Sequence, residues 1–107
     1  RTKLENEAFN YIKTLANFRK NSKAITEGKL VQFVPQNGIY CYFRYTENEE
    51  IMVIMNASEE VVIEDLSRYK ERLEGPRVLK DIFGINDHIA SAPLTLNPYE
   101  TRIFILQ

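Results

Sequence analysis

The stretch PQNGIYCYFRYTENEEIMVIMNA, residues 35–57, decides the fold of this chain. Asn37-Gly38 sits between two apolar runs, and Asn-Gly there is a strong hairpin signal because both residues accept positive φ at little steric cost. TENEE separates IYCYFRY from IMVIMNA in the same manner, so successive antiparallel strands are expected. Neighbouring side chains on a strand point to opposite faces. Ile39, Cys41, Phe43 and Tyr45 therefore share one face and Tyr40, Tyr42 and Arg44 the other, and the first set is the core candidate. IMVIMN is apolar on both faces, with Ile51, Val53 and Met55 opposite Met52 and Ile54, the mark of a central strand covered on both sides. A two-layer sandwich buries only one face of each sheet, so a further element is expected over the outer face of this strand.

Working outward, LVQFV precedes this stretch, and VVIEDL, VLKDIF, PLTLN and TRIFIL follow it. They are punctuated by Gly75-Pro76, by Gly84 to Asp87 and by Asn97-Pro98. SRYKERLEG reads equally as a helical turn or a loop. Toward the N-terminus, Leu4, Ala8, Tyr11, Ile12, Leu15, Ala16 and Phe18 recur at steps of three and four, which predicts a helix over Leu4 to Lys20. Phe9 widens its apolar face, while Lys3, Glu7, Lys13 and Lys20 supply polar positions. Gly28 is expected to provide a positive-φ turn before the first strand. The fold class expected is mainly β, an antiparallel β-sandwich of about seven to eight strands preceded by one N-terminal α-helix.

The chain has 107 residues, 44% hydrophobic and 27% charged, with a net charge of -1. That fits one soluble domain, and no apolar run approaches the roughly 20 residues that span a bilayer. Fourteen basic residues balance fifteen acidic ones without clustering, so neither nucleic acid nor a membrane is an expected partner. Cys41 is the only cysteine, which excludes an intrachain disulfide and a cysteine-rich metal site. The chain starts at Arg1, with neither methionine nor signal-peptide regions, and the reading that follows is a fragment of a longer protein.

Two carboxyl groups that act as acid and nucleophile across one bond stand about 5–5.5 Å apart. Asp81, Asp87 and Glu100 lie beside loop signals without forming an acid and nucleophile pattern, so they read as solvated loop charge, and no catalytic residue is assigned. His88 beside Asp87 lacks the further ligands a metal would require and reads as a surface or loop histidine; no metal and no cofactor is expected. Cys41 reads as a small buried hydrophobe. Asn56-Ala57-Ser58 matches the N-glycosylation pattern, yet Asn56 at a strand end is better read as bonding the local backbone in a turn. Glu47, Glu49 and Glu50 read as a solvated hairpin tip. Tyr40, Tyr42 and Arg44 are the site candidates, since aromatic rings can stack on sugar rings beside an arginine, and the same trio can equally pack against a helix.

The helix ending in Leu15, Phe18, Arg19 and Lys20, then Ser22, Ala24, Ile25, Gly28 and Leu30, then IYCYFRY, IMVIMNAS and PLTLNPYETRIFIL, resembles the C-terminal end of an alpha-amylase superfamily glycoside hydrolase of the neopullulanase and cyclomaltodextrinase type. Lys23 stands where the family often has proline, and Asn17 where a more apolar residue is common. The resemblance implies that residues 1–22 are the terminal helix of a catalytic (β/α)8 barrel and that residues 23–107 form the β-sandwich called domain C. It implies a parent that breaks down starch or maltooligosaccharides with retention, through carboxylates on barrel strands outside these residues. The partners expected are that barrel, an alpha-glucan, and, through the apolar face of the helix, a second copy; periplasm and cytoplasm of a bacterium both stay open. The rival expectation is an independent carbohydrate-binding module.

Overall fold

The structure, a computed structural model, describes residues 2–75 and 77–107. It is mainly β: helix α1 (Lys3–Asn21) and helix α2 (Lys23–Glu27) precede β1 (Lys29–Gln32), β2 (Ile39–Tyr45), β3 (Glu50–Asn56) and β4 (Val62–Glu64). A 3-10 turn at Leu66–Tyr69 leads to β5 (Val78–Asp81), β6 (His88–Ile89), β7 (Leu94–Leu96) and β8 (Thr101–Leu106). Six strands form one antiparallel sheet in the order β1-β2-β3-β8-β5-β6, and β4 and β7 pair as a second, smaller sheet.

Residues 35–57 behave as the hairpin chemistry requires. Asn37 and Gly38 take φ of 52° and 77°, positive at both central positions as in a type I′ turn. Ile39 and Gln36 exchange backbone hydrogen bonds across it, at 2.8 and 3.2 Å. β1 pairs with β2 from Lys29↔Tyr45 to Gln32↔Tyr42. Pro35, which has no N–H to donate, separates that ladder from the turn, so β1 is shorter than the apolar run LVQFV.

The core lies between the two sheets. Ile39, Cys41 and Phe43 from β2, Met52 and Ile54 from β3, and Phe104 and Leu106 from β8 meet Leu94 and Leu96 from β7 and Tyr69 from the 3-10 turn. SRYKERLEG thus contains a helical turn, and it supplies one of the largest buried side chains, Tyr69. That ring packs edge-on against Phe33 at 4.9 Å, and its hydroxyl donates to Glu64. Burial, followed by that hydrogen bond, pushes the Tyr69 phenol up from its ordinary pKa. Burial likewise pushes the Cys41 thiol up, with the nearby Glu64 charge as a smaller cause.

The outer face of β3 is covered in part, as its two-sided apolarity requires. Ile51 is fully buried although it belongs to the face opposite the main core, and α2 packs against β2 and β3 there. No helical period marks α2, which is only five residues long. Ser22 both ends α1, where its N–H bonds Phe18 O, and starts α2, where its Oγ accepts from Ile25 N at 3.3 Å.

Several expectations are corrected. Gly28 has φ of -75°, so no left-handed turn explains it. A Cβ there would lie 2.2 Å from Ala24 O and 2.9 Å from Tyr45 O, so close backbone approach is the reason for glycine. Glu49 and Glu50 are not a solvated tip: Glu49 accepts from Ser22 Oγ at 2.6 Å and Ala24 N at 3.0 Å, while Glu50 pairs with Arg72 at 2.7 Å and Arg77 at 3.1 Å. Only Glu47 of that trio is exposed. His88 lies in β6 instead of a loop, half-buried, with Nε2 2.9 Å from Ala92 O. Of the Gly75-Pro76 signal, Gly75 takes φ of 77° and Pro76 lies outside the described residues.

Candidate functional site

Helix α1 lies along the outer face of the larger sheet, and the surfaces of interest are the clefts it makes there. Thr2 starts the helix by accepting from Glu5 N at 3.1 Å, and Arg19 and Lys20 in the last turn complement its dipole. Not one of its residues is buried. Its docked face is short: Tyr11 stacks on Phe83 from the β5–β6 connection, with centroids 4.6 Å apart and planes at 11°. Leu15 and Phe18 border the same cleft as Val53 and Ile103 from the sheet.

That cleft, of about 330 Å³, is where Tyr42 and Arg44 reside. Arg44 Nη2 donates to Ile25 O at 2.9 Å and to Gly28 O at 3.2 Å, so its guanidinium satisfies the carbonyls at the end of α2. Tyr42 faces α1, while Tyr40 lies further along β2 opposite Met55 and is 45% exposed. The three candidates share a sheet face but not one environment.

A second cleft, of about 560 Å³, opens between the N-terminal half of α1 and the β5–β6 connection. Its floor is set by an ion pair that corrects another expectation: Asp81 is 6% exposed, not solvated. Arg102 Nη2 donates to Asp81 Oδ2 at 2.9 Å, and Asp81 Oδ1 accepts from Phe83 N at 2.7 Å. Asp87 accepts from Asp81 N at 3.0 Å, and Glu100 accepts from Asn97 N at 2.9 Å, so each of these carboxylates holds local backbone. The signal that could have found Asp81 is its place at the end of VLKD, where strand parity puts Leu79 and Asp81 on one buried face.

Asn56 is fully buried. Its amide donates to Glu60 O at 2.7 Å and Asn97 O at 3.1 Å, and its Oδ1 accepts from Ser58 N at 3.0 Å, as its reading as a turn residue expects. Among the described residues no group of three or more His, Cys, Asp or Glu side chains is placed to hold a metal ion.

The eight strands in two antiparallel sheets and the one long helix on the outer face found among the described residues are the architecture of a C-terminal domain of alpha-amylase family glycosidases. The chain belongs to the family described as the cyclo-malto-dextrinase C-terminal domain, whose model matches residues 30–105. Among solved structures it is similar to a mutant isomaltulose synthase from Erwinia rhapontici NX5 in complex with sucrose, at 26% identity and a TM-score of 0.69 over 92% of this chain. It shares its fold with the trehalulose synthase MutB from Pseudomonas mesoacidophila MX-45, at 19% identity and a TM-score of 0.72 over 92% of this chain. A mutant AmyP in complex with maltotriose matches 97% of it at 15% identity and a TM-score of 0.76. The chain spans only 18%, 18% and 21% of the lengths of these three proteins.

Proposed function

We propose that this chain is the non-catalytic C-terminal domain of a glycoside hydrolase acting on starch or maltooligosaccharides. In this reading residues 1–22 are the last helix of its (β/α)8 barrel and residues 23–107 form the sandwich that shields it. The observation that carries the reading is the undocked side of α1. Leu4, Ala8, Ile12 and Ala16 recur every fourth residue and are all exposed, Ile12 at 64%. An apolar row on a helix already docked along another face is the pattern expected of a helix between two bodies. Tyr42 and Arg44 then serve packing beneath α1, and Tyr40 adds to a surface that a neighbouring body covers.

The test is hydrolysis of starch, pullulan and cyclodextrin by the isolated chain at high concentration, with calorimetric titration of maltooligosaccharides. No turnover is expected. Tyr40→Ala with Tyr42→Ala is expected to lower stability, seen as a fall in Tm, by less per ring than the roughly 3–5 kcal/mol lost with a fully buried one. Turnover that survives further purification would overturn the non-catalytic role. The exposure of Tyr40 favours one rival, an independent carbohydrate-binding module. Micromolar binding abolished by those two substitutions, with stability unchanged, would establish that rival instead.

A further inference from the structure

The larger cleft is lined with a different chemistry from the rest of the helix surface. Glu7, Asn10, Thr14, Asn17 and Asn21 follow one another at steps of three and four, forming a polar row on one flank of α1. Asparagine and threonine are poor choices for an exposed helix interior, where alanine, lysine, glutamate or glutamine lose less side-chain freedom and compete less with the backbone. Their recurrence along a row that borders clefts at both ends of the helix is unexplained by helix stability. Glu7, Asn10 and Thr14 face Asn86, Thr101 and Glu100 across the larger cleft.

Between these rows stands Tyr11. It is 48% exposed and is held flat on Phe83, so its ring is fixed in orientation while part of it meets solvent. Phe83 is fixed in turn through its own N–H by Asp81 and Arg102. An oriented ring flanked by amides, hydroxyls and carboxylates is the complement of a saccharide, which offers C–H faces to stack and hydroxyls that both donate and accept. The volume of about 560 Å³ lies within the range of small-molecule sites. The apolar row Leu4, Ala8, Ile12 and Ala16 runs along a different flank of the helix, so covering that row does not require closing this cleft.

We propose that the cleft between α1 and the β5–β6 connection binds a saccharide, with Tyr11 as the stacking platform and Asn10, Thr14 and Asn86 as hydroxyl partners. That the saccharide is an alpha-glucan rests on the function proposed above; the site itself rests on the side chains. Binding is expected to be weak, because the cleft is open and shallow contacts gain little over water.

The experiment is a titration of the full 107-residue chain, ¹⁵N-labelled, with maltotriose and with cellotriose, followed by backbone and side-chain amide shifts. Maltotriose is expected to move Asn10, Tyr11, Thr14 and Asn86 saturably. Tyr11→Ala is expected to weaken this by about tenfold, the equivalent of ~1.4 kcal/mol. Because Tyr11→Ala also removes the contact with Phe83, Asn10→Ala and Thr14→Ala are the companion variants; both favour helix and are expected to weaken binding with the fold intact. Tyr40→Ala is expected to leave these shifts unchanged. No saturable shift at the cleft with either sugar, or shifts indifferent to Asn10→Ala and Thr14→Ala, would overturn the proposal. Equal response to cellotriose would overturn the alpha-glucan assignment and leave the saccharide site standing.

Discussion

Arg102 places both Nε and Nη2 on a single oxygen of Asp81, at 3.1 and 2.9 Å, and leaves the other oxygen to hold Phe83 N at 2.7 Å. The pair therefore does more than cancel charge. It joins the end of β5 to β8 and sets the backbone that carries Phe83, on which the ring of Tyr11 rests. Sheet, connection and helix are linked through one carboxylate.

Asp81→Ala is expected to destabilise the fold by about 3–5 kcal/mol, since it leaves the Arg102 charge and the Phe83 N–H unpaired in a largely buried place. Urea denaturation measures the loss. The same variant should weaken the docking of α1, seen as faster amide exchange around Tyr11 than in the sheet.

Asn56→Ala is expected to cost on the order of 3 kcal/mol, because buried carbonyls and the Ser58 N–H each lose a partner. Asn56→Asp should cost more, by turning a carboxylate toward the carbonyls of Glu60 and Asn97. Thermal melts of the two variants check the order. Expression in a glycosylating host is expected to add no glycan to the folded chain, as mass spectrometry would show.

Gly28→Ala is expected to cost about 1–3 kcal/mol through overpacking alone. The new methyl group would meet the backbone oxygens of Ala24 and Tyr45, neither of which can rotate away as a side chain does. A substitution at a glycine of positive φ offers the control: Gly84 has open space around its Cα and φ of 70°, a conformation asparagine bears better than most residues, so Gly84→Asn should be tolerated better than Gly28→Ala.

Stability is expected to fall on the alkaline side. The Tyr69 phenol holds its proton more tightly folded than unfolded, so above about pH 10, the ordinary phenol value, the unfolded chain loses protons first and gains ground. Its contribution is complete below that pH and is lost as the pH rises toward the folded value. Cys41 acts with the same sign from about pH 8.5 upward. Tyr69→Phe should flatten the steeper part of the limb at a cost of about 1.5–3 kcal/mol near neutrality, the range for a hydrogen bond to a charged acceptor. Denaturation midpoints from pH 7 to 11 test this.

The legible parts of the fold were those written in local pattern. Asn37-Gly38 announced its turn, and the parity of IYCYFRY and the two-sided apolarity of IMVIMN placed the core and called for a cover over β3. What stayed hidden depends on partners distant in the chain. β6 is two residues long and exists through Val78↔Ile89 and Leu79↔His88. Glu50 reads as a surface acid until Arg72 and Arg77 are brought to it, and Asp81 until Arg102 is. α2 is too short for periodicity to show, although Ser22 and Gly28 are suitable residues to begin and end it. Tyr40, Tyr42 and Arg44 alternate with the buried Ile39, Cys41 and Phe43 as parity requires, yet parity cannot tell that Tyr40 lies outside the cleft that Tyr42 and Arg44 line with α1.

The joint at Ser22 has a mechanical consequence. One residue separates two helices, its hydroxyl is tied to Glu49 on the β2–β3 connection, and the second helix is locked to the sheet through Arg44. Such a joint is a bracket and not a tether: it transmits torque. Any body built onto the first helix would be held at a set angle to the sandwich, and a twist applied to one would be felt by the other as strain in β2 and β3.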